Sequence, residues 1–324
     1  MAPIVCNYYI TYRCNARCKY CDFWKRRKFR QANDCSPFDV AQNLSALRKI
    51  GIRFIDFTGG EPLLHPDLPE LLRLAKGHRF WTSVTTNCLL YPERAQELRG
   101  LVDLLHFSLD SIDPHVHDAL RGCESYESVM QSIEIARSLG ESPDLLFTVT
   151  PANVHAIEAL ISFAQSQKLI LIVNPIFRYS NQEVLDFEAL DYLDQFCHEK
   201  YVYINRAFHR LIRNGGNRTS QPRCRAMSAS VVISPENELL LPCFHHAQWA
   251  IPLNNDLIQI VQSQTYRSLI WHQGTFPFCQ GCTINCYFDP SFLYKLDRYF
   301  WLSLISKTKY AIDKYLGRVL SKIK

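Results

Sequence analysis

The stretch Cys14-Asn15-Ala16-Arg17-Cys18-Lys19-Tyr20-Cys21 decides how the rest of the chain is read. It holds three cysteines, with three and then two residues between them, directly after the apolar run from Ile4 to Ile10. Thiolates at that spacing can converge on one small centre, and a loop leaving a strand end is free to wrap it. Three sulfurs are one too few for a closed four-coordinate zinc or a fully ligated cubane. An iron–sulfur cluster with one iron open to a non-protein ligand fits the count better, while part of a zinc site stays open as an alternative.

Around this loop, strand and helix signals alternate. Residues 4–11 read as a strand, and Ser36-Pro37 opens a helix to residue 50 with an N-cap and a proline in the first turn. A strand at 53–57 ends in Thr58-Gly59-Gly60-Glu61-Pro62, and a helix at 67–76 leads to the strand 80–85, which ends at Thr86-Asn87. A helix at 93–99 precedes the strand 104–109, which ends at Asp110-Ser111. A helix at 125–139, a strand at 145–149, a helix at 154–167 and a strand at 169–173 complete the series. Six strand–helix units predict an α/β fold, a parallel sheet with helices outside. Polar and glycine-rich residues gather at the C-terminal strand ends, where such folds place their active sites.

The cysteine spacing, with Tyr20 just before the last cysteine and Gly-Gly-Glu-Pro after the second strand, resembles the radical S-adenosylmethionine (radical SAM) superfamily. The resemblance implies a partial (β/α)6 TIM-type barrel, and the residues after it read as a small C-terminal hairpin-plus-loop cluster domain and a C-terminal amphipathic helix. It implies that Cys14, Cys18 and Cys21 hold three irons of a [4Fe–4S] cluster. The fourth iron would chelate the amino and carboxylate groups of S-adenosylmethionine. An electron from a donor such as flavodoxin or ferredoxin splits the sulfonium, and the 5′-deoxyadenosyl radical takes a hydrogen atom from an unactivated C–H bond. The resemblance assigns Gly59, Gly60 and Glu61 to the methionine moiety, and Asn87, Ser108 and Asp110 to its carboxylate and the ribose hydroxyls. The backbone of Tyr20 would meet the adenine edge. Each has a plainer explanation, since Gly-Gly-Glu-Pro alone is a turn and an Asp ending a strand is an N-cap. Tyr9, Tyr12, His65, Arg178 and Tyr179 also lie near strand ends, where structural roles explain them equally well.

A second group, Cys224, Cys243, Cys279, Cys282 and Cys286, offers more thiolates than one site needs. Residues 230–241 read as a hairpin turning at Ser234-Pro235-Glu236-Asn237, with a cysteine on each flank. A hairpin plus Cys-x-x-Cys is a zinc-ribbon pattern. After a radical SAM barrel it resembles the Twitch and SPASM extensions, which implies a second, auxiliary [4Fe–4S] cluster. Cys224, Cys243, Cys279 and Cys282 are the best four ligands, with Cys286 able to replace one. A fully protein-ligated cluster would carry electrons, which suits an oxidative modification.

With 324 residues, 47% apolar and 21% charged, the composition is globular. No apolar run reaches membrane-span length and the N-terminus lacks a signal-peptide layout, so the sequence predicts a cytoplasmic protein. Cys6, Cys35, Cys88, Cys123 and Cys197 lie scattered in apolar or helical stretches and read as structural. Residues 292–324 hold eight Lys/Arg against two Asp, so the rest of the chain sums to about −1 of the net +5. That excludes the basic groove of a nucleic-acid enzyme. Expected domains are a barrel with a following helical connector (1–215), the auxiliary region (216–290) and a basic amphipathic tail (291–324). Asp289-Pro290 would cap the tail. Leu293, Leu296, Phe300, Leu304 and Ile312 would pack it on the barrel with a solvated basic side, or that side would make a peripheral membrane contact. For a substrate, 12% aromatic residues point to a bulky apolar small molecule, a tetrapyrrole of the chlorophyll or haem type or a lipid-like precursor. The alternatives are a peptide or protein side chain, or a non-catalytic cluster-bearing protein.

Overall fold

The computed structural model describes residues 2–177 and 184–316; Arg178, Tyr179 and the tail beyond residue 316 lie outside the described residues. One ten-stranded sheet runs in the order β10-β9-β8-β1-β2-β3-β4-β5-β6-β7. β1 (Val5–Thr11), β2 (Phe54–Gly59), β3 (Trp81–Thr86), β4 (Leu104–Ser108), β5 (Asp144–Val149) and β6 (Leu171–Pro175) are the six expected strands, all parallel. This is the α/β partial barrel.

Each strand carries two sets of residues on opposite faces. Cys6, Tyr8, Ile10, Ile55, Phe57, Val84, Phe107, Leu145 and Phe147 are buried on the outer face, in the main core with Leu44, Leu71, Ala136 and Leu160 of the surrounding helices. The alternate residues line the barrel interior and are mostly polar. Asn7, Asp56 and Ser83 stand in register across β1–β3, Thr85 beside His106, and Thr148 beside Asn174. The helices follow their punctuation. In the helix Pro37–Ile50, Ser36 Oγ accepts from Phe38 N at 3.2 Å and Gly51 ends the helix in the left-handed region, at φ 112°.

Four features depart from the expected layout. The helix Pro114–Arg121 follows β4, capped by Asp113, whose Oδ1 accepts from His115 N at 2.9 Å. Within the expected helical connector lies β7 (Val202–Ile204), parallel to β6; three residues are too few to show a period. The hairpin β8 (Ser230–Ile233) and β9 (Glu238–Leu241) is followed by β10 (Trp249–Pro252), and β8 pairs parallel with β1 from Val5↔Ser230 to Tyr8↔Ile233. The hairpin therefore extends the barrel sheet.

The fourth departure is the tail. Asp289 and Pro290 lie inside the helix Asn285–Ser291, so they do not open it. Asp297 caps the tail helix Arg298–Ala311 instead, accepting from Tyr299 N at 2.9 Å, and a π-helical turn continues it over Ile312–Leu316. The helix crosses the N-terminal end of the barrel with its polar side inward. Tyr310 Oη donates to Asp144 Oδ2 at 2.6 Å, Lys314 pairs with the same carboxylate, and Lys309 Nζ donates to the carbonyls of Glu199 (2.6 Å) and Val202 (2.9 Å). Ser303 and Ser306 are buried, whereas Leu296, Leu304 and Ile312 are exposed. The expected orientation is reversed because these buried polar partners hold the helix by its polar face.

Candidate active site at the cysteine loop

The loop Cys14–Cys21 leaves the C-terminal end of β1 and is clamped on two sides by backbone. On one side Gly60 N donates to Thr11 O (3.0 Å) and Glu61 N to Arg13 O (2.8 Å). A Cβ on Gly59 would stand 1.8 Å from Thr11 O, and one on Gly60 2.1 Å from Arg13 O. The glycines are thus required by contact with the cysteine loop itself. On the other side Arg17 N donates to Arg121 O (3.1 Å) and Lys19 N to Leu120 O (2.9 Å). Gly122, at φ 65°, would place a Cβ 2.4 Å from Arg17 O.

The residues matched to adenosylmethionine contacts are engaged in holding this frame. Glu61 is buried; Oε1 accepts from Leu63 N at 3.0 Å and Oε2 from Asn87 N at 2.8 Å. Burial pushes its carboxyl up to about 7, against those hydrogen bonds. Asn87 donates from Nδ2 to Asn15 Oδ1 at 2.7 Å and accepts from Leu89 N at 3.0 Å, so it ties β3 to the cysteine loop. Ser108 is nearly buried at the end of β4.

Asp110 departs furthest from the expected role. It is fully buried, with Oδ1 accepting from Thr148 N (3.0 Å) and Oδ2 from Tyr20 Oη (2.5 Å). Arg121 Nε stands 2.8 Å from the same Oδ2, although its N–H is not aimed along that line, and Arg121 Nη1 lies 4.0 Å from Cys18 Sγ. The guanidinium also sits 5.6 Å from the Tyr20 ring centroid. Burial opposes the charge on Arg121, but Asp110, Tyr20 and Cys18 more than offset it. Asp110 is therefore the anchor of a buried ion pair beneath the cysteine loop, not a free ligand at its rim. Arg121, at the end of a helix absent from the sequence reading, is the residue that reading missed.

Cys18 is buried, and Cys14 and Cys21 are partly so. Burial pushes the Cys14 thiol up to about 12 and that of Cys21 to about 11, so a bound cation is what would favour their thiolates. Beside them a cavity of about 200 Å³ is lined by Tyr20, Cys21, Phe23, Thr148, Asn174, Phe177 and His245. It lies where β5 and β6 end.

At the second group, Cys224, Cys243, Cys279 and Cys282 line one small cavity with Pro242, Gly274 and Tyr287. The organising residue is Asn217, fully buried. Its Nδ2 donates to the carbonyls of Gly274 (2.8 Å) and Cys279 (3.1 Å), and its Oδ1 accepts from Arg223 N (2.9 Å) and Cys224 N (3.2 Å). Its backbone pairs with Cys282 O and Gly281 N. Cys286 is exposed, with Sγ 3.9 Å from His245 Nε2, and is not among the thiols lining the cavity. Among the described residues no three His, Cys, Asp or Glu side chains stand close enough to share a single metal ion.

The two sites are joined by aromatic rings. Phe23, just after Cys21, stacks 5.2 Å from Phe244, just after Cys243, and Phe244 stacks 4.0 Å from Tyr9. Tyr12 and Phe29 complete this cluster.

Residues 8–164, just under half of the chain, match the Radical SAM superfamily. Proteins named "Probable GTP 3',8-cyclase" are similar to it. That of Methanococcus maripaludis is 30% identical over 165 residues, 50% of this chain and 55% of that protein. That of Sulfolobus acidocaldarius is 32% identical over 167 residues, 49% of this chain and 51% of that protein. The chain thus spans about half the length of these curated relatives. Among solved structures, Streptococcus suis SuiB bound to precursor peptide SuiA has TM-score 0.67 at 16% identity, covering 91% of this chain and 74% of that one. Native anSMEcpe with bound AdoMet has TM-score 0.66 at 16% identity, covering 97% and 99%. These two are likenesses of fold. The radical SAM match implies a [4Fe–4S] cluster with S-adenosylmethionine, and the clamped three-thiol loop fits that pair.

Proposed function

We propose that this chain is a radical SAM enzyme in which Cys14, Cys18 and Cys21 hold the site-open cluster. S-Adenosylmethionine would lie over that loop toward the cavity bounded by Tyr20, Thr148 and Asn174. The observation that carries the reading is the clamp: two glycine turns and a buried ion pair fix the loop that carries the three thiols. When bound, the cluster and adenosylmethionine supply the radical. The protein's part is to hold the loop, orient the substrate C–H bond and exclude water. The electron donor would be a flavodoxin or ferredoxin.

The barrel interior supports a substrate with polar groups over a wholly apolar one. Asp56, Ser83, Thr85, His106, Thr148 and Asn174 line it; Ser83 pairs with Asp56, Thr85 with His106 and Asn174 with Asn285, so the surroundings are polar rather than hydrocarbon. Of the aromatic residues that suggested a tetrapyrrole or a lipid precursor, Tyr9, Tyr12, Phe23, Phe29 and Phe244 are drawn instead into the cluster beside the hairpin. The relatives' name, a GTP cyclase, points the same way. A polar small molecule is the first reading and a peptide side chain the second. Cys224, Cys243, Cys279 and Cys282 would hold an auxiliary [4Fe–4S] cluster, a reading supported by four thiols that line one cavity behind a radical SAM barrel.

The test is anaerobic reconstitution, reduction and quantification of 5′-deoxyadenosine. Wild-type protein should release it and Cys18→Ala should not. A loaded wild-type cluster that releases none would refute the enzymatic reading.

A further inference from the structure

The tail helix is inverted relative to an ordinary surface helix. Its polar residues Ser303, Ser306 and Lys314 are buried against the barrel. Its outward face presents Trp301 at 57% exposure, Leu304, Ile305 at 59%, and Ile312 just beyond it. Spacings of three, four and seven residues put these on one stripe, with Leu296 at its N-terminal end. The stripe cannot turn inward, because Tyr310, Lys309 and Lys314 are held at Asp144, Glu199 and Val202. A contiguous apolar strip fixed outward by buried polar contacts marks a docking surface.

We infer that this stripe seats on the surface of an anionic bilayer. Exposed basic residues flank it, Lys295 and Arg298, while both acids of the segment are occupied, Asp297 by Arg223 and Asp313 by Lys309. The sequence beyond adds Arg318, Lys322 and Lys324 with no acid. An apolar face rimmed by uncompensated positive charge is complementary to lipid with anionic headgroups. It is a poor match for a second copy, since a two-fold contact would set the same cations against each other. Among the described residues no helix is long and apolar enough to cross a membrane, so the contact lies in the interface. It falls at the N-terminal end of the barrel strands, opposite the cysteine loop, and leaves that site open to substrate.

The experiment is co-sedimentation of the full chain with phosphatidylglycerol-containing and with pure phosphatidylcholine vesicles, at low and high salt. Wild-type protein should pellet with the anionic vesicles and be released by salt. The double variant Trp301→Ser/Ile305→Ser should lose at least about tenfold in partitioning. Both side chains are exposed, so the variant should unfold at the wild-type temperature, which circular dichroism checks. No pelleting of wild-type protein, or equal pelleting of the variant, overturns the inference. So does a solution dimer that the same variant dissociates, which would make the occupant a second copy.

Discussion

Removing Arg121 should be the most damaging single change near the cysteine loop, and the damage should appear in the metal-free protein. Asp110 is fully buried, and the side chain of Arg121 is 8% exposed. Arg121→Leu leaves the carboxylate with only Thr148 N and Tyr20 Oη as partners. Truncating one member of a buried pair costs about 3–5 kcal/mol, because a charge stays desolvated and unopposed. Asp110→Asn in the Arg121→Leu background removes that charge and should recover about 2 kcal/mol or more. Urea unfolding of the metal-free chain, kept reduced and followed by far-ultraviolet circular dichroism, measures all four members of the cycle. If Arg121→Leu costs less than about 1 kcal/mol, or the two changes add within about 0.5 kcal/mol, the pair is not the anchor described.

Three further outcomes follow from the geometry. Gly60→Ala drives a methyl to 2.1 Å from Arg13 O, so iron at the first site should fall by at least about half while the second site stays loaded, read as iron and sulfide per chain. Cys279→Ala should halve total iron from about eight per chain to about four, and Cys286→Ala should leave it unchanged. Burial pushes the Asp56 carboxyl from 3.8 to about 6. The folded chain then holds a proton that the unfolded chain has released, so stability falls as pH rises from about 4 to about 6. Asp56→Asn should flatten that slope and add on the order of 2 kcal/mol above pH 6, measured by urea unfolding across the range.

The parts of this fold that were legible in the sequence carry their own local signals. Ser36-Pro37 and Gly51 bound a helix, and the buried runs of β1, β5 and β6 have the length and composition of interior strands. The three-cysteine spacing needs no tertiary knowledge. What escaped depends on partners far along the chain. β7 is only three residues long and acquires its identity by pairing with β6. The helix Pro114–Arg121 did have its signal, Asp113-Pro114 before and Gly122 after, and could have been found. Asn217 could not, because nothing in Asn214-Gly215-Gly216-Asn217 says that one asparagine side chain will donate two hydrogen bonds and accept two across residues 223–279. The tail was inverted because periodicity reports that a helix has two faces, not which one finds partners. The lysines at 307, 309 and 314 found carboxylates and carbonyls at the barrel's end.

One consequence concerns the residues that the motif nominates as ligands. Glu61, Asn87 and Asp110 are engaged with Leu63, Asn15, Thr148, Tyr20 and Arg121. The loop is positioned by backbone contacts at Gly60 and Gly122, whose closeness admits no side chain, and this preorganisation limits the conformational freedom left to the three cysteines. The same preorganisation explains why glycine stands at both clamps and why the charge of Arg121 can be buried beside a thiol. Asp110 balances that charge, and Cys18, which would hold an iron of the cluster, stands with Sγ 4.0 Å from Arg121 Nη1. A guanidinium at that place would favour the negative charge that a bound cluster carries on its ligands.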